Sequence, residues 1–171
     1  MIDLNWIVFW YTDVTSTTKN SCNNNLRNLY LYKPYQMIKI GIIGVGRMGK
    51  IHLENLSTKI EGVELIAAVN PSTEGQKFAL DHGVKNVSGN IDIIIDNPEI
   101  DAVLISSSSD THSDFAVKAG KAIFCEKPID KPLQKASETV NIISDLNVPL
   151  MIGLILFYIH GTMGTFAHGI K

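Results

Sequence analysis

Cysteine is nearly absent. Cys22 and Cys125 are the only two, with no CxxC and no metal-ligand spacing. That excludes a disulfide framework, predicts no metal site, and makes a reducing cytoplasm with idle thiols the expected setting. Charge is also sparse, at 19% of residues with a net of −2. No basic cluster stands ready to neutralise phosphates, so neither a nucleic acid nor an anionic membrane is an expected partner. Long apolar runs are missing too. The run from Trp6 to Tyr11 falls far short of the roughly 20 residues that cross a bilayer, and no Lys or Arg precedes it as in a signal peptide. The run from Val148 to Ile159 is interrupted by Pro149 and Gly153. No transmembrane segment is expected.

What remains is 171 residues, 45% of them hydrophobic, enough for one domain with its own core. Residues 1–36 stand apart. From Thr12 to Asn28 they are rich in Thr, Ser and Asn with no apolar period, and they read as a disordered leader ahead of Met37.

From Ile38 onward strand and helix patterns alternate. Strands are expected at Ile38 to Ile43, Val63 to Val69, Val84 to Val87, Asp101 to Ser106, Ala122 to Cys125 and Pro149 to Ile152. Helices are expected at Arg47 to Leu56, Thr73 to His82, Thr111 to Ala119, and from Pro132 to Asn147 with Pro132 in the first turn. Gly83 and Gly120 supply helix stops. The run Asp92 to Asp96 fits a short helix or a strand. The alternation predicts an α/β fold, a doubly wound and mostly parallel sheet covered on both faces.

Between the first strand and first helix lies Gly44-Val45-Gly46-Arg47-Met48-Gly49. A bare GxGxxG is a weak signal, but one that follows an apolar strand and opens a helix is the fingerprint of a Rossmann dinucleotide site. Gly44 serves the tight turn, Gly46 lets a pyrophosphate approach the backbone, and Gly49 lets helix pack on strand. The free amides and positive dipole end of the helix then face the phosphates. The residue that holds the ribose 2′-hydroxyl is usually acidic, and here it is Asn70. Asn bonds a hydroxyl but does not repel a 2′-phosphate. NAD is favoured because no Arg follows Asn70 to pair with a phosphate, and NADP stays open.

Other motifs follow the later strands. Ser106, Ser107, Ser108 and Ser109 lie where ligands bind in such sheets; as a polar loop they would also cap a helix with Ser109 or Asp110. His112 begins that helix, where a structural hydrogen bond and a catalytic role are both open. His52, on the first helix, reads as structural, and Cys125 as a small buried hydrophobe. Glu126-Lys127-Pro128 follows the fifth strand. On its own, Lys127 reads as a surface lysine before a turn proline.

Taken together, Ile40 to His52, Asp110-Thr111-His112, Phe124 to Asp130 and Val148 to Gly153 resemble the Gfo/Idh/MocA oxidoreductases from about Met37 to Gly153. The resemblance implies a two-domain, NAD(P)-dependent dehydrogenase acting on a small polyol or sugar. Residues 37–153 would be its Rossmann domain. Gly44 to Gly49, Asn70, Ser106 to Ser108, His112, Glu126, Lys127 and Pro128 would then line the cofactor. Lys127 would share in proton transfer at the carbinol, with burial lowering its proton affinity. The helix after His112 is about one turn shorter than the family's. The resemblance stops after Gly153, where the family's second α/β domain, with an Asp and a His that assist the lysine, would follow. Residues 154–171 contain no Asp or Glu and read as an aberrant or truncated tail. The expectation is weak cofactor binding, little turnover, and no oligomer of the family's kind. A non-catalytic nucleotide-binding module is the alternative.

Overall fold

In the computed structural model, residues 37–153 are described. The expectations for 1–36 and 154–171 lie outside them. Six strands form one sheet: β1 (Ile38–Ile43), β2 (Val63–Val69), β3 (Asn86–Ser88), β4 (Ala102–Ile105), β5 (Ala122–Cys125) and β6 (Leu150–Ile152). Their order is β3-β2-β1-β4-β5-β6 and every pairing is parallel. Parallel neighbours need crossovers, and the helices supply them: α1 (Arg47–Thr58), α2 (Thr73–Asp81), α3 (Asp92–Ile95), α4 (His112–Ala119) and α5 (Leu133–Asp145).

Strand alternation splits the core into two layers. Ile40, Ile42, Leu104 and Phe124 pack on one face with Leu53 and Leu56 of α1. Ile43, Val103, Ile105, Ile123 and Cys125 pack on the other with Ile94, Ala116 and Ile143. Both faces of β4 and β5 are buried throughout, which is why those strands read as unbroken apolar runs.

Several boundaries differ from the sequence pattern. The third strand is Asn86–Ser88 rather than Val84 to Val87. Val84 is buried, but its N–H donates to Ala79 O and closes the end of α2, so pairing starts at Asn86 opposite Ala67. Asp92–Ile95 settles as a helix, with Ile91 O accepting from Ile94 and Ile95. Helix α1 runs two residues past Leu56, where the Ser57 and Thr58 hydroxyls donate back to Leu53 and Glu54 carbonyls. Helix α4 is capped by Thr111, not Ser109 or Asp110. Pro132 caps α5 from outside, its carbonyl accepting from Ala136. Among the described residues no helix is long and apolar enough to cross a membrane.

Leu104 lies at the centre of the sheet and is 2% exposed. Leu104→Ala is expected to cost about 2–5 kcal/mol through lost burial and a residual cavity. Urea unfolding of the purified chain measures it, and a change under about 1 kcal/mol would contradict the assigned core.

Candidate functional site: the carboxyl edge of the sheet

The order of the strands places β1 between β2 and β4, whose crossovers run in opposite directions. Ligands of open α/β sheets bind at such a switch point, beyond the carboxyl ends of the strands. The loops after β1, β2, β4 and β5 meet at this edge, and together with the first turns of α1 (Arg47, Met48, Gly49) and α4 (His112) they carry every site residue expected from the sequence.

The loop after β1 is held from several sides. Gly44 N–H donates to Val69 O at 2.8 Å, and Val45 N–H donates to Asn70 Oδ1 at 2.9 Å. Ser106 Oγ donates to Gly44 O at 2.7 Å. Gly44 has φ +94°, a conformation that L side chains rarely adopt. A Cβ there would also strike the backbone of Ser106 and Ser107. A Cβ on Gly49 would collide with Gly44 O. Gly46 is different: a Cβ there meets nothing within 4 Å. The fold itself has no need of glycine at position 46; the open space in front of it does.

Gly46 is also the N-cap of α1, in extended conformation and with no side-chain cap. The first amides of an α-helix lack intrahelical acceptors. Around Arg47, Met48 and Gly49 they are therefore available to an anion, aided by the helix dipole. Arg47 is exposed beside them. Glycine cradle, open space and uncapped helix start fit the pyrophosphate of a dinucleotide.

Asn70 takes a role the sequence did not suggest. It is 7% exposed, and its side chain is committed to the loops: Oδ1 accepts from Val45, while Nδ2 donates to Ser72 Oγ at 2.8 Å. Gly75 makes room for it, because a Cβ there would collide with Asn70 Nδ2. The residue expected to grip a ribose first of all fixes the glycine loop.

The β4 and β5 loops interlock. Ser107 Oγ lies 2.8 Å from Thr111 Oγ1, and Ser108 Oγ donates to Asp110. His112 is 1% exposed, with Nδ1 2.8 Å from Pro128 O and Nε2 3.0 Å from Ser107 O. Both partners are carbonyl oxygens, so a neutral ring donates to one of them while its other nitrogen faces the second. Glu126 is 5% exposed, and its Oε1 lies 2.7 Å from His52 Nε2. Its Oε2 accepts from Lys127 N–H at 3.3 Å. Lys127 and Pro128 are exposed, joined by a cis peptide. The burial expected for Lys127 is thus not supplied by this domain. Cys125 behaves as read: burial, reinforced by the Glu126 charge, pushes its thiol up to about 12, so it is chemically inert.

Three contacts went unanticipated: the His52–Glu126 pair, the seat of Asn70 on Gly75, and Asp130. The Asp130 carboxylate accepts from Ser113 Oγ and Lys131 N–H and pairs with Lys135 Nζ, tying the loop after Lys127 to α4 and α5. The Ser113 hydroxyl first, then Lys135 and the Lys131 amide, hold its carboxyl below the ordinary aspartate range, against the opposing effect of burial.

This carboxyl-edge cradle on a doubly wound parallel sheet defines a Rossmann dinucleotide-binding domain. Residues 38–154 match the model of the oxidoreductase family with an NAD-binding Rossmann fold, and the chain belongs to that Gfo/Idh/MocA family. It is 34% identical over 119 residues to the inositol 2-dehydrogenase of Rhizobium meliloti (strain 1021), covering 68% of this chain and 36% of that protein. It is 29% identical over 120 residues to scyllo-inositol 2-dehydrogenase (NAD(+)) of Bacillus subtilis (strain 168), covering 68% and 35%. The structure of scyllo-inositol dehydrogenase from Lactobacillus casei with bound NAD(H) and scyllo-inositol superposes with a TM-score of 0.65 at 36% identity, covering 68% of this chain and 36% of that one. The chain thus spans little more than a third of the length of these relatives.

Two outcomes test the site's construction. Gly49→Ala forces a methyl into a backbone oxygen and should lose about 1–3 kcal/mol, whereas Gly46→Ala should leave thermal unfolding nearly unchanged. Calorimetric melting of both variants checks this, and equal melting would refute the assignment. Asp130 has a folded-state pKa below its unfolded value near 3.9, so its stabilisation is full above about pH 4 and fades as pH falls through the folded value. Asp130→Asn should therefore flatten the stability profile below about pH 4. An unchanged acid limb in urea titrations would count against the Ser113 and Lys135 contacts.

Proposed function

We propose that residues 37–153 form the cofactor-binding part of an NAD-dependent oxidoreductase of the inositol 2-dehydrogenase type. The observation that carries it is the open space before Gly46, at the uncapped start of α1. The relatives named above support the class of reaction. In this reading Gly44, Val45, Gly46, Arg47, Met48 and Gly49 hold the pyrophosphate, and Asn70 faces the adenosine ribose. Ser106, Ser107, Ser108, His112, Glu126, Lys127 and Pro128 border the nicotinamide side. Of these, Asn70 and His112 act largely by fixing loops, since their polar atoms already have partners.

NAD, when bound, supplies the hydride acceptor. Lys127 takes part in moving the hydroxyl proton of a polyol or sugar carbinol, and its cation stabilises developing negative charge on that oxygen. Both need the substrate held in register with the cofactor. The described residues present Lys127 on an exposed step with no enclosing wall. These residues by themselves are therefore expected to bind dinucleotide and turn over little or no substrate.

Calorimetric titration with NAD and NADP tests this, alongside an assay of NADH formation from myo-inositol. Saturable NAD binding, weakened at least about tenfold (roughly 1.4 kcal/mol) by Gly46→Val, is the expected result. Tighter binding of NADP would overturn the choice of cofactor. Absence of binding to either would remove the dinucleotide reading, and brisk oxidation of myo-inositol would refute the expectation of low turnover.

A further inference from the structure

Lys127 sits on an exposed step whose two ends are buried. Glu126 is 5% exposed on one side and Ile129 7% on the other. A different buried histidine fastens each side. His52, from the middle of α1 and 2% exposed, lies 2.7 Å from Glu126 Oε1, and the other oxygen of that carboxylate accepts the Lys127 amide. His112, at the start of α4, lies 2.8 Å from Pro128 O and 3.0 Å from Ser107 O.

Neither ring is placed to exchange protons with a substrate, because neither reaches solvent. Packing alone would be served better by an apolar side chain at position 52. The ring lies edge-on to Phe124, its neighbour Leu53 belongs to the core, and its Nδ1 is buried without a partner. A buried polar atom without a partner is a cost that a hydrophobe would avoid. What the histidine provides is a link. Helix α1 begins at the dinucleotide cradle, and His52 ties that same helix to the peptide of Lys127. His112 ties the Ser107 loop, which borders the cradle at Gly44, to the carbonyl of Pro128.

We propose that His52 and His112 are positioning residues for Lys127, bracing its backbone on both sides against the elements that hold the cofactor. The proposal rests on Lys127 working beside the nicotinamide. Errors of about 1 Å in such placement are enough to cost about a hundredfold in rate, which is the reason for a double brace.

The test follows the assigned Lys127 amide in the full 15N-labelled chain by NMR, without and with saturating NAD. His52→Phe keeps ring volume and deletes the bond to Glu126, while His52→Gln restores a side-chain N–H. In His52→Phe, hydrogen exchange at Lys127 should rise at least about tenfold (roughly 1.4 kcal/mol of lost protection), while Leu104 and Ile105 in β4 keep their rates. His52→Gln should recover most of the protection. His112→Leu should reduce the NAD-induced shift of the Lys127 signal by more than half. An unchanged Lys127 rate in His52→Phe, a rise shared equally by Leu104 and Ile105, no recovery in His52→Gln, or failure of both His52 variants to fold would each overturn the brace. A Lys127 signal in the unmodified chain that NAD binding leaves unmoved would instead overturn its premise, that Lys127 lies at the cofactor.

Discussion

Helix α1 lies so close to the end of β1 that the carbonyl of Gly44 occupies the place of a side chain at position 49. This contact sets the direction of α1, and much else follows from it. The helix points its uncapped start into the space before Gly46. It brings Leu53 and Leu56 onto the sheet, and it carries His52 under the end of β5 to meet Glu126. Were the helix a methyl group further out, the cradle would widen and the His52–Glu126 bond would stretch beyond hydrogen-bonding range. One missing side chain therefore couples the cofactor cradle to the loop that bears Lys127.

The polar groups along this edge bond mostly to one another and to backbone. Ser106 donates to Gly44, Asn70 accepts from Val45 and donates to Ser72, His112 spans two carbonyls, and Asp130 collects Ser113, Lys131 and Lys135. Backbone in loops lacks ladder partners, and buried polar groups need them. Four short loops stay in fixed relation because side chains supply what helices and strands do not. The amides at the start of α1 are among the donors still open, and a ligand with phosphate oxygens answers them directly.

Much of this was legible in the sequence, for reasons that differ by element. The strands β4 and β5 were clear because burial on both faces leaves uninterrupted apolar runs, and β1 was clear because only Lys39 breaks its run. The cradle was clear because its three glycines answer three separate steric demands at fixed spacing. Where a boundary was missed, a local competitor had won. Val84 is apolar and β-branched, yet its amide closes a helix instead of joining the sheet. Thr111 stands at the N-cap of α4 although Ser109 and Asp110 are stronger caps on average; it makes no side-chain cap, and its hydroxyl closes a turn onto Ser108 instead. The pair His52–Glu126 was out of reach, since its members stand 74 positions apart. A polar residue on the buried stripe of a helix, between Gly49 and Leu53, was the one hint that position 52 had a partner.

Asn70 shows how identity at a site and role in a fold diverge. At the end of β2 an acidic side chain would also accept from Val45, so the loop-fixing bond does not require asparagine. What the amide adds is a donor toward Ser72, which draws the start of α2 to the cradle. What it gives up is the negative charge that would repel a 2′-phosphate. With Asn70 at the ribose as proposed, a preference for NAD over NADP would rest on shape and on the lack of an Arg after Asn70, both weaker than a fixed charge. In the proposed reading, a neutral side chain that braces the loop leaves the choice of cofactor to weaker features, because one side chain cannot be both a neutral brace and an anionic gate.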